Sequence, residues 1–222
     1  MIPGARLVIL GRQGAGKGTQ CVRLARHYVV PHISTGDMLR MAVKEGTDFG
    51  RKAKDYMDAG ELLPDDVIVG IVAERLGRDD TTNRGYILDG FPRTVGQAEA
   101  LSDITDAADL SLDLVIDLEV PEDVVVARIS KRRVCVDCGT NYSVDSPPRY
   151  DWTCDNCGGE VRLRDDDTED SVRHRLELYR QQTEPLITFY QARDLLAAVD
   201  GMGHPDDVTR RVIRAIDVRG KH

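Results

Sequence analysis

GRQGAGKGTQ, residues 11–20, directly follows the apolar run RLVIL of residues 6–10. Gly11, Gly14, Gly16 and Gly18 crowd into eight residues, a density that is entropically costly unless the backbone must turn sharply or meet a ligand closely. Gly11 allows the turn off a strand, and Gly14, Ala15, Gly16 and Gly18 bring backbone amides within reach of phosphate oxygens. A helix starting near Lys17 adds the positive end of its dipole, and the Lys17 ammonium reaches the β- and γ-phosphates. The stretch fits G-x-x-x-x-G-K-[ST] with one departure, Gly18 standing between Lys17 and Thr19. A glycine-rich turn with an exposed lysine is the bland alternative. A strand before and a helix after favour a loop that cradles the polyphosphate of a nucleotide.

The 222-residue chain is acidic, with a net charge of −8. That balance argues against bulk electrostatic binding to nucleic acid or anionic lipid, although a local basic cleft remains compatible with it. No apolar run approaches the ~20 residues of a membrane helix. The first residues, MIPGARLVILG, lack a basic leader and a long apolar segment. A cytoplasmic protein is therefore expected.

Further short apolar runs read as buried strands: Tyr86–Leu88, Leu112–Leu118 and Leu195–Val199. Helical stretches alternate with them at Gly18–His27, Pro64–Leu76, Thr94–Leu101, Pro121–Lys131 and Thr168–Arg193. The last contains Glu184-Pro185, where a kink or break is expected because proline removes a helix donor. Strand–helix alternation predicts an α/β fold, a central parallel sheet with helices on both faces. Two stretches break the rhythm. Residues 34–63 are strand-free and rich in Asp, Lys, Arg and Met, which reads as a small helical insert. Residues 131–167 read as a second insert, leaving residues 1–33, 64–130 and 168–222 as the core.

The second insert holds Cys135, Cys138, Cys154 and Cys157, two C-x2-C pairs separated by 15 residues. In a reducing compartment this spacing reads as a zinc site rather than as disulfides. Four thiolates close a tetrahedral shell and leave no open position. One structural Zn2+ per chain is expected, stiffening a zinc-ribbon-like insert too small for much core. Cys21, alone on the first helix, reads as a packed small hydrophobe.

GRQGAGKGTQ, PHISTGDMLR and GYILDGFPRTVGQA together resemble the nucleoside monophosphate kinases, and adenylate kinases most closely; RISKRR and RDDDTEDSVRHRL extend the likeness over nearly the whole chain. Gln13 departs from it, since adenylate kinases usually carry proline there. The resemblance implies a P-loop three-layer fold with an AMP-binding insert over 34–63 and a lid over 131–167. It implies reversible transfer of the terminal phosphoryl group of Mg-ATP to AMP, giving two ADP, by a monomer. Thr35 would contact the AMP adenine and Arg40 its phosphate, while Glu61, Leu62 and Leu63 would close around the base. Gly90, Phe91, Pro92 and Arg93 would hold AMP, Gln97 would read the adenine edge, and Asp89 would orient Mg2+. Each has a bland alternative: Thr35 a helix N-cap, Gln97 an exposed helix residue, Asp89 a satisfied strand-end acid.

The same likeness makes Arg128, Arg132, Arg164 and Arg175 phosphate clamps that converge when the lid closes, with Arg164 and Arg175 also serving AMP. Planar guanidinium groups suit that role because they bind phosphate oxygens bidentately and stay charged. Arg133, Arg162 and Arg173 are expected on solvated faces. Asn141, Tyr142 and Gly203 fall where the family touches the ATP base. Two rivals remain at this point. One is a kinase with another acceptor (CMP or UMP) or with GTP as donor. The other is a nucleotide-dependent protein gripping nucleic acid through the zinc insert. The six basic and five acidic residues of 131–164 make a poor phosphate-backbone footprint for the second.

Overall fold

The computed structural model describes residues 4–164 and 167–219; residues 165–166, inside the expected lid, and both chain ends lie outside it. Strand β1 (Ala5–Leu10) leads through the glycine loop into α1 (Lys17–Tyr28), and β2 (His32–Ser34) opens into α2 (Thr35–Glu45) and α3 (Asp48–Ala59). Next come α4 (Asp65–Leu76), the short α5 (Asp79–Thr82), β3 (Gly85–Asp89), α6 (Val95–Ala107), β4 (Leu114–Glu119) and α7 (Glu122–Lys131). Strands β5 (Arg132–Cys135), β6 (Asn141–Ser143) and β7 (Val161–Arg162) follow. The chain ends with α8 (Glu169–Leu178), a π-turn at Tyr179–Thr183, α9 (Pro185–Gln191), β8 (Leu196–Asp200) and α10 (Pro205–Arg219).

The main sheet is wholly parallel, in the order β2-β3-β1-β4-β8. The central strands β1, β3 and β4 are buried on both faces, which is why they read as continuous apolar runs. In β1, Leu7 and Ile9 face one hydrophobic cluster and Val8 and Leu10 the other. Helices α1, α7, α8 and α10 supply the first cluster, and α4, α6 and α9 the second. This is the three-layer α/β/α fold expected. Helices α2 and α3 pack on each other, while β5, β6 and β7 form a separate antiparallel sheet in the order β6-β5-β7.

Three features differ from the sequence reading. Ser34, placed at the start of a strand-free insert, ends β2; a strand of three residues with one apolar side chain has no visible period. The helix read over 168–193 is interrupted at Glu184-Pro185 as expected, but the form of the break was not foreseen: a π-turn precedes it, and Pro185 then starts α9 in the first turn, where its missing N–H costs nothing. Helix α10 was not anticipated, although Val208, Val212 and Ile216 recur at a spacing of four and are buried.

Candidate active site

The C-terminal ends of β1, β2 and β3 open onto one cavity of about 1550 Å3, which the phosphate loop, α2–α3 and the β5–β7 sheet also line. Crevices at this edge of an open parallel sheet are where such folds bind ligands. Helix α1 begins without a side-chain cap and without an acidic residue in its first turn. By contrast Ser34, Thr47, Thr94 and Thr168 cap α2, α3, α6 and α8. The first amides of α1 are thus left for an anion. Gly14 has φ +83°, and a Cβ there would stand 2.8 Å from Ile129 and from the Val125 carbonyl, so no larger residue fits the loop's contact with α7. Lys17 Nζ donates to the Gly11 and Arg12 carbonyls at 2.7 and 3.0 Å. Burial lowers its pKa, with Asp89 pulling the other way.

Asp89 ends β3 and lines the cavity. Burial alone would raise its pKa, but His32, Lys17 and Arg93 outweigh that and hold the carboxyl below its ordinary value. His32 Nε2 lies 3.5 Å from Asp89 Oδ2, at the outer edge of hydrogen bonding and without the alignment of a formed bond. Thr35 is not the cap of α2, since Ser34 Oγ accepts from Asp37 N; its hydroxyl donates to the Gly90 carbonyl at 3.0 Å. Gly90 has φ +81°, and a Cβ there would meet Thr35 Oγ1 at 2.9 Å. The bland alternative for Gln97 also fails, because the residue is only 2% exposed. Its Oε1 accepts from Arg93 N at 2.8 Å and its amide donates to Asp65 Oδ1 at 2.7 Å. Thr94 donates to the other Asp65 oxygen at 2.9 Å. Nothing in the sequence tied Asp65, at the start of α4, to Gln97.

Around this wall stand the cationic groups. Arg93 Nε donates to the Gly90 carbonyl at 2.8 Å. Arg128 reaches the carbonyls of Ala15 and Gly201 at 3.3 and 3.2 Å. Arg175 donates to Met57 O at 3.2 Å, and Arg40 pairs with Asp37. Arg132 forms a forked pair with the buried Asp167 carboxylate, Nε to Oδ2 at 2.7 Å. Arg164 lines the cavity, and so does Arg162, which the sequence reading put on a solvated face. Gly16, Gly18, Thr19, Glu61, Leu62, Leu63, Pro92, Asn141, Tyr142 and Gly203 line it as well. Phe91 does not; it is 1% exposed and packs in the second core cluster. Helix α2 and the cysteine-bearing segment touch across the cavity, where Lys44 Nζ lies 3.3 Å from the Asp137 carboxylate, and α8 of the core meets the end of the α2–α3 segment, where His174 Nε2 lies 3.0 Å from Glu61.

The four paired cysteines are unbridged, and their sulfurs all lie within 4.8 Å of one another. Two Sγ–Sγ separations, Cys135–Cys157 and Cys138–Cys154, are 3.5 Å, against about 3.8 Å for tetrahedral thiolates around zinc. Each pair closes a tight turn, Gly139 N donating to Cys135 O and Gly158 N to Cys154 O. The donor set fits Zn2+. Tyr142 donates to Cys154 Sγ and accepts from Asp155 N, so its hydroxyl is anchored at the cysteine cluster. Cys21 is fully buried and its thiol is pushed well up by desolvation.

Comparison with known proteins agrees with this geometry. The family model of adenylate kinase matches residues 9–195. The chain belongs to the adenylate kinase family. It is 51% identical over 207 residues to an adenylate kinase of Archaeoglobus fulgidus, covering 93% of this chain and 95% of that one. Against an adenylate kinase of Thermodesulfovibrio yellowstonii it is 49% identical, covering 96% and 99%. A Bacillus licheniformis adenylate kinase is 47% identical, with 97% and 99% covered. The activity of this chain is ATP:AMP phosphotransfer, and a cavity larger than the ~300–1,000 Å3 of a single-ligand pocket has room for two nucleotides.

Proposed function

We propose that this chain converts Mg-ATP and AMP into two ADP by direct in-line transfer, with the donor on the phosphate loop and the acceptor against α2–α3. The observation that carries the reading is the one cavity shared by the phosphate loop, Asp89 and seven arginines, among them Arg40, Arg93, Arg128, Arg132, Arg164 and Arg175. Phosphoryl transfer leaves little covalent work for side chains, so positioning and charge stabilisation supply most of the acceleration. Lys17 and the first amides of α1 hold the donor's phosphates. Arg128, Arg132, Arg164 and Arg175 offset the repulsion between two polyanions, while Arg40 and Arg93 hold the AMP phosphate. Asp89, kept anionic by its neighbours, would orient the Mg2+ that accompanies ATP, which would supply further neutralisation of phosphate charge.

Thr35, Gly90 and the backbone of residues 61–63 enclose the AMP base. Gln97 reads its edge with the amide capacity left over from Arg93 and Asp65. Asn141, Tyr142 and Gly203 flank the donor base. Residues 34–63 and 131–167 act as arms that close over the substrates and exclude water, which would otherwise accept the phosphoryl group. Zinc on Cys135, Cys138, Cys154 and Cys157 is structural, one ion per chain. The reading extends to a monomer in the cytoplasm, where reducing conditions keep the four thiols available to metal.

ADP formation from Mg-ATP, measured with AMP, GMP, CMP, UMP and no acceptor, tests it. Turnover with AMP far above the others is expected. Preference for another monophosphate overturns the base-reading roles of Thr35 and Gln97, and ATP loss without acceptor overturns the water-excluding closure.

A further inference from the structure

The phosphate loop carries a side chain that the reaction as described does not use. Gln13 stands where the family resemblance leads one to expect proline, and a proline has no side-chain donor. Its Nε2 donates to Asp167 Oδ1 at 3.0 Å, across 154 residues of chain. Asp167 is the last residue of the expected lid, its side chain is fully buried, and the same carboxylate receives the fork of Arg132, the residue that opens β5. Entry and exit of the cysteine-bearing segment thus meet on one carboxylate, and Gln13 fastens that junction to the loop that holds the donor's phosphates.

The orientation of the Gln13 amide is determined by this bond. Its Oε1 is buried with no hydrogen-bond partner among the described residues, an arrangement that costs free energy. The charge-assisted bond from Nε2 to the carboxylate offsets that cost. Turning the amide over would set Oε1 against Asp167, acceptor against anion.

We propose that Gln13 is a positioning residue for phosphoryl transfer: through Asp167 it sets where the Arg132 guanidinium stands relative to the phosphate loop. This rests on Arg132 acting on the substrates' phosphates. A phosphate drawing on the Arg132 fork competes with Asp167 for it, and the Gln13 bond keeps the carboxylate, and with it the lid's neck, from drifting as the fork is shared.

The test is steady-state kinetics on the full chain with its zinc content verified, using Gln13→Met, Asp167→Asn and the pair together, with Arg132→Ala in parallel. Gln13→Met keeps the size and removes the donor. It is expected to lower kcat/KM for Mg-ATP by ~5-fold, the scale of one charge-assisted hydrogen bond used indirectly. KM for AMP should move by less than about twofold, because uniform loss of binding is not the mechanism. In the Asp167→Asn background the same substitution should change kcat/KM by less than about 1.5-fold, since contacting residues are not additive. Gln13→Glu, which sets an anion against Asp167, should cost more than Gln13→Met. No change in kcat/KM with Gln13→Met overturns the proposal, as does an equal loss in both backgrounds. If Arg132→Ala leaves kcat intact, the role of Arg132 fails first and the inference goes with it.

Discussion

The sheet core and the cysteine-bearing arm are built on opposite principles. The core holds itself together by side-chain burial on both faces of five parallel strands, with Leu7, Ile87 and Ile116 fully enclosed. Among its described residues, the arm encloses a hydrophobic cluster of only Cys135, Cys154 and Val161, with Tyr142 against it. Two of those three are metal-type ligands. So few apolar contacts cannot outweigh the entropy of ordering some thirty residues, on the order of 1–2 kcal/mol each for backbone alone. A region of this kind borrows its order from a bound ion, whereas the core needs none.

Removing the ion should separate the two most sharply. Chelation is expected to melt the arm, shift the fluorescence of Trp152, the only tryptophan in the chain, and nearly abolish turnover while far-UV dichroism keeps most of its helical signal. Elemental analysis should find one zinc per chain beforehand. An arm that stays ordered without metal would erase the contrast.

The reciprocal break is Ile116→Ala in the centre of β4, expected to cost about 4 kcal/mol of global stability through the cavity it leaves. Chemical denaturation measures the loss, and the zinc content of the folded fraction should not change. Next in size, Arg164→Ala removes an arm-borne charge from the cavity and should lower kcat by ~10²-fold, as loss of one electrostatic donor does elsewhere. A change under about threefold in steady-state kinetics would take Arg164 out of the reaction.

The smallest expected effect lies inside the core. Burial, with Glu119 adding to it, pushes the Asp117 carboxyl up to about 6. Its folded-state pKa lies above the ordinary value, so the native state holds a proton that the unfolded chain has lost. Stability is therefore highest below the unfolded pKa and falls as pH rises through about 6. Asp117→Asn should add about 2 kcal/mol at pH 8 and little at pH 4. Equal gains at both pH values would mean that ionisation is not the cause.

What could be read in advance follows the same division. β1, β3 and β4 were legible because double-sided burial writes unbroken apolar runs, β8 because its apolar run survives even with one face exposed, and the phosphate loop because its glycines have few other uses. The cysteine spacing announced a metal site without announcing β5, β6 or β7, strands of two to four residues that are too short to show a period. Partnerships across long separations were invisible: Gln97 with Asp65, Gln13 with Asp167, and Lys44 with Asp137 are products of tertiary packing. Phe91 sat inside a motif read as AMP-binding, yet its ring belongs to the core, because neighbours along an irregular loop face opposite ways.

The π-turn before Pro185 gives one rod two phases. An α-helix advances about 100° per residue, so a straight continuation would bring Leu186, 14 positions after Val172, back to within about 40° of the same direction. A π-turn carries one extra residue and swings the downstream face round by roughly another 100°. Val172 and Leu176 accordingly enter the cluster on one side of the sheet, and Leu186 and Tyr190 the cluster on the other. Between them, where the phase slips, Tyr179 and Thr183 are turned toward the cavity, and Thr183 donates to the Arg93 carbonyl at 2.9 Å. A single-residue change of pitch thus lets one stretch of chain clasp the edge of the sheet and touch the reaction site in passing.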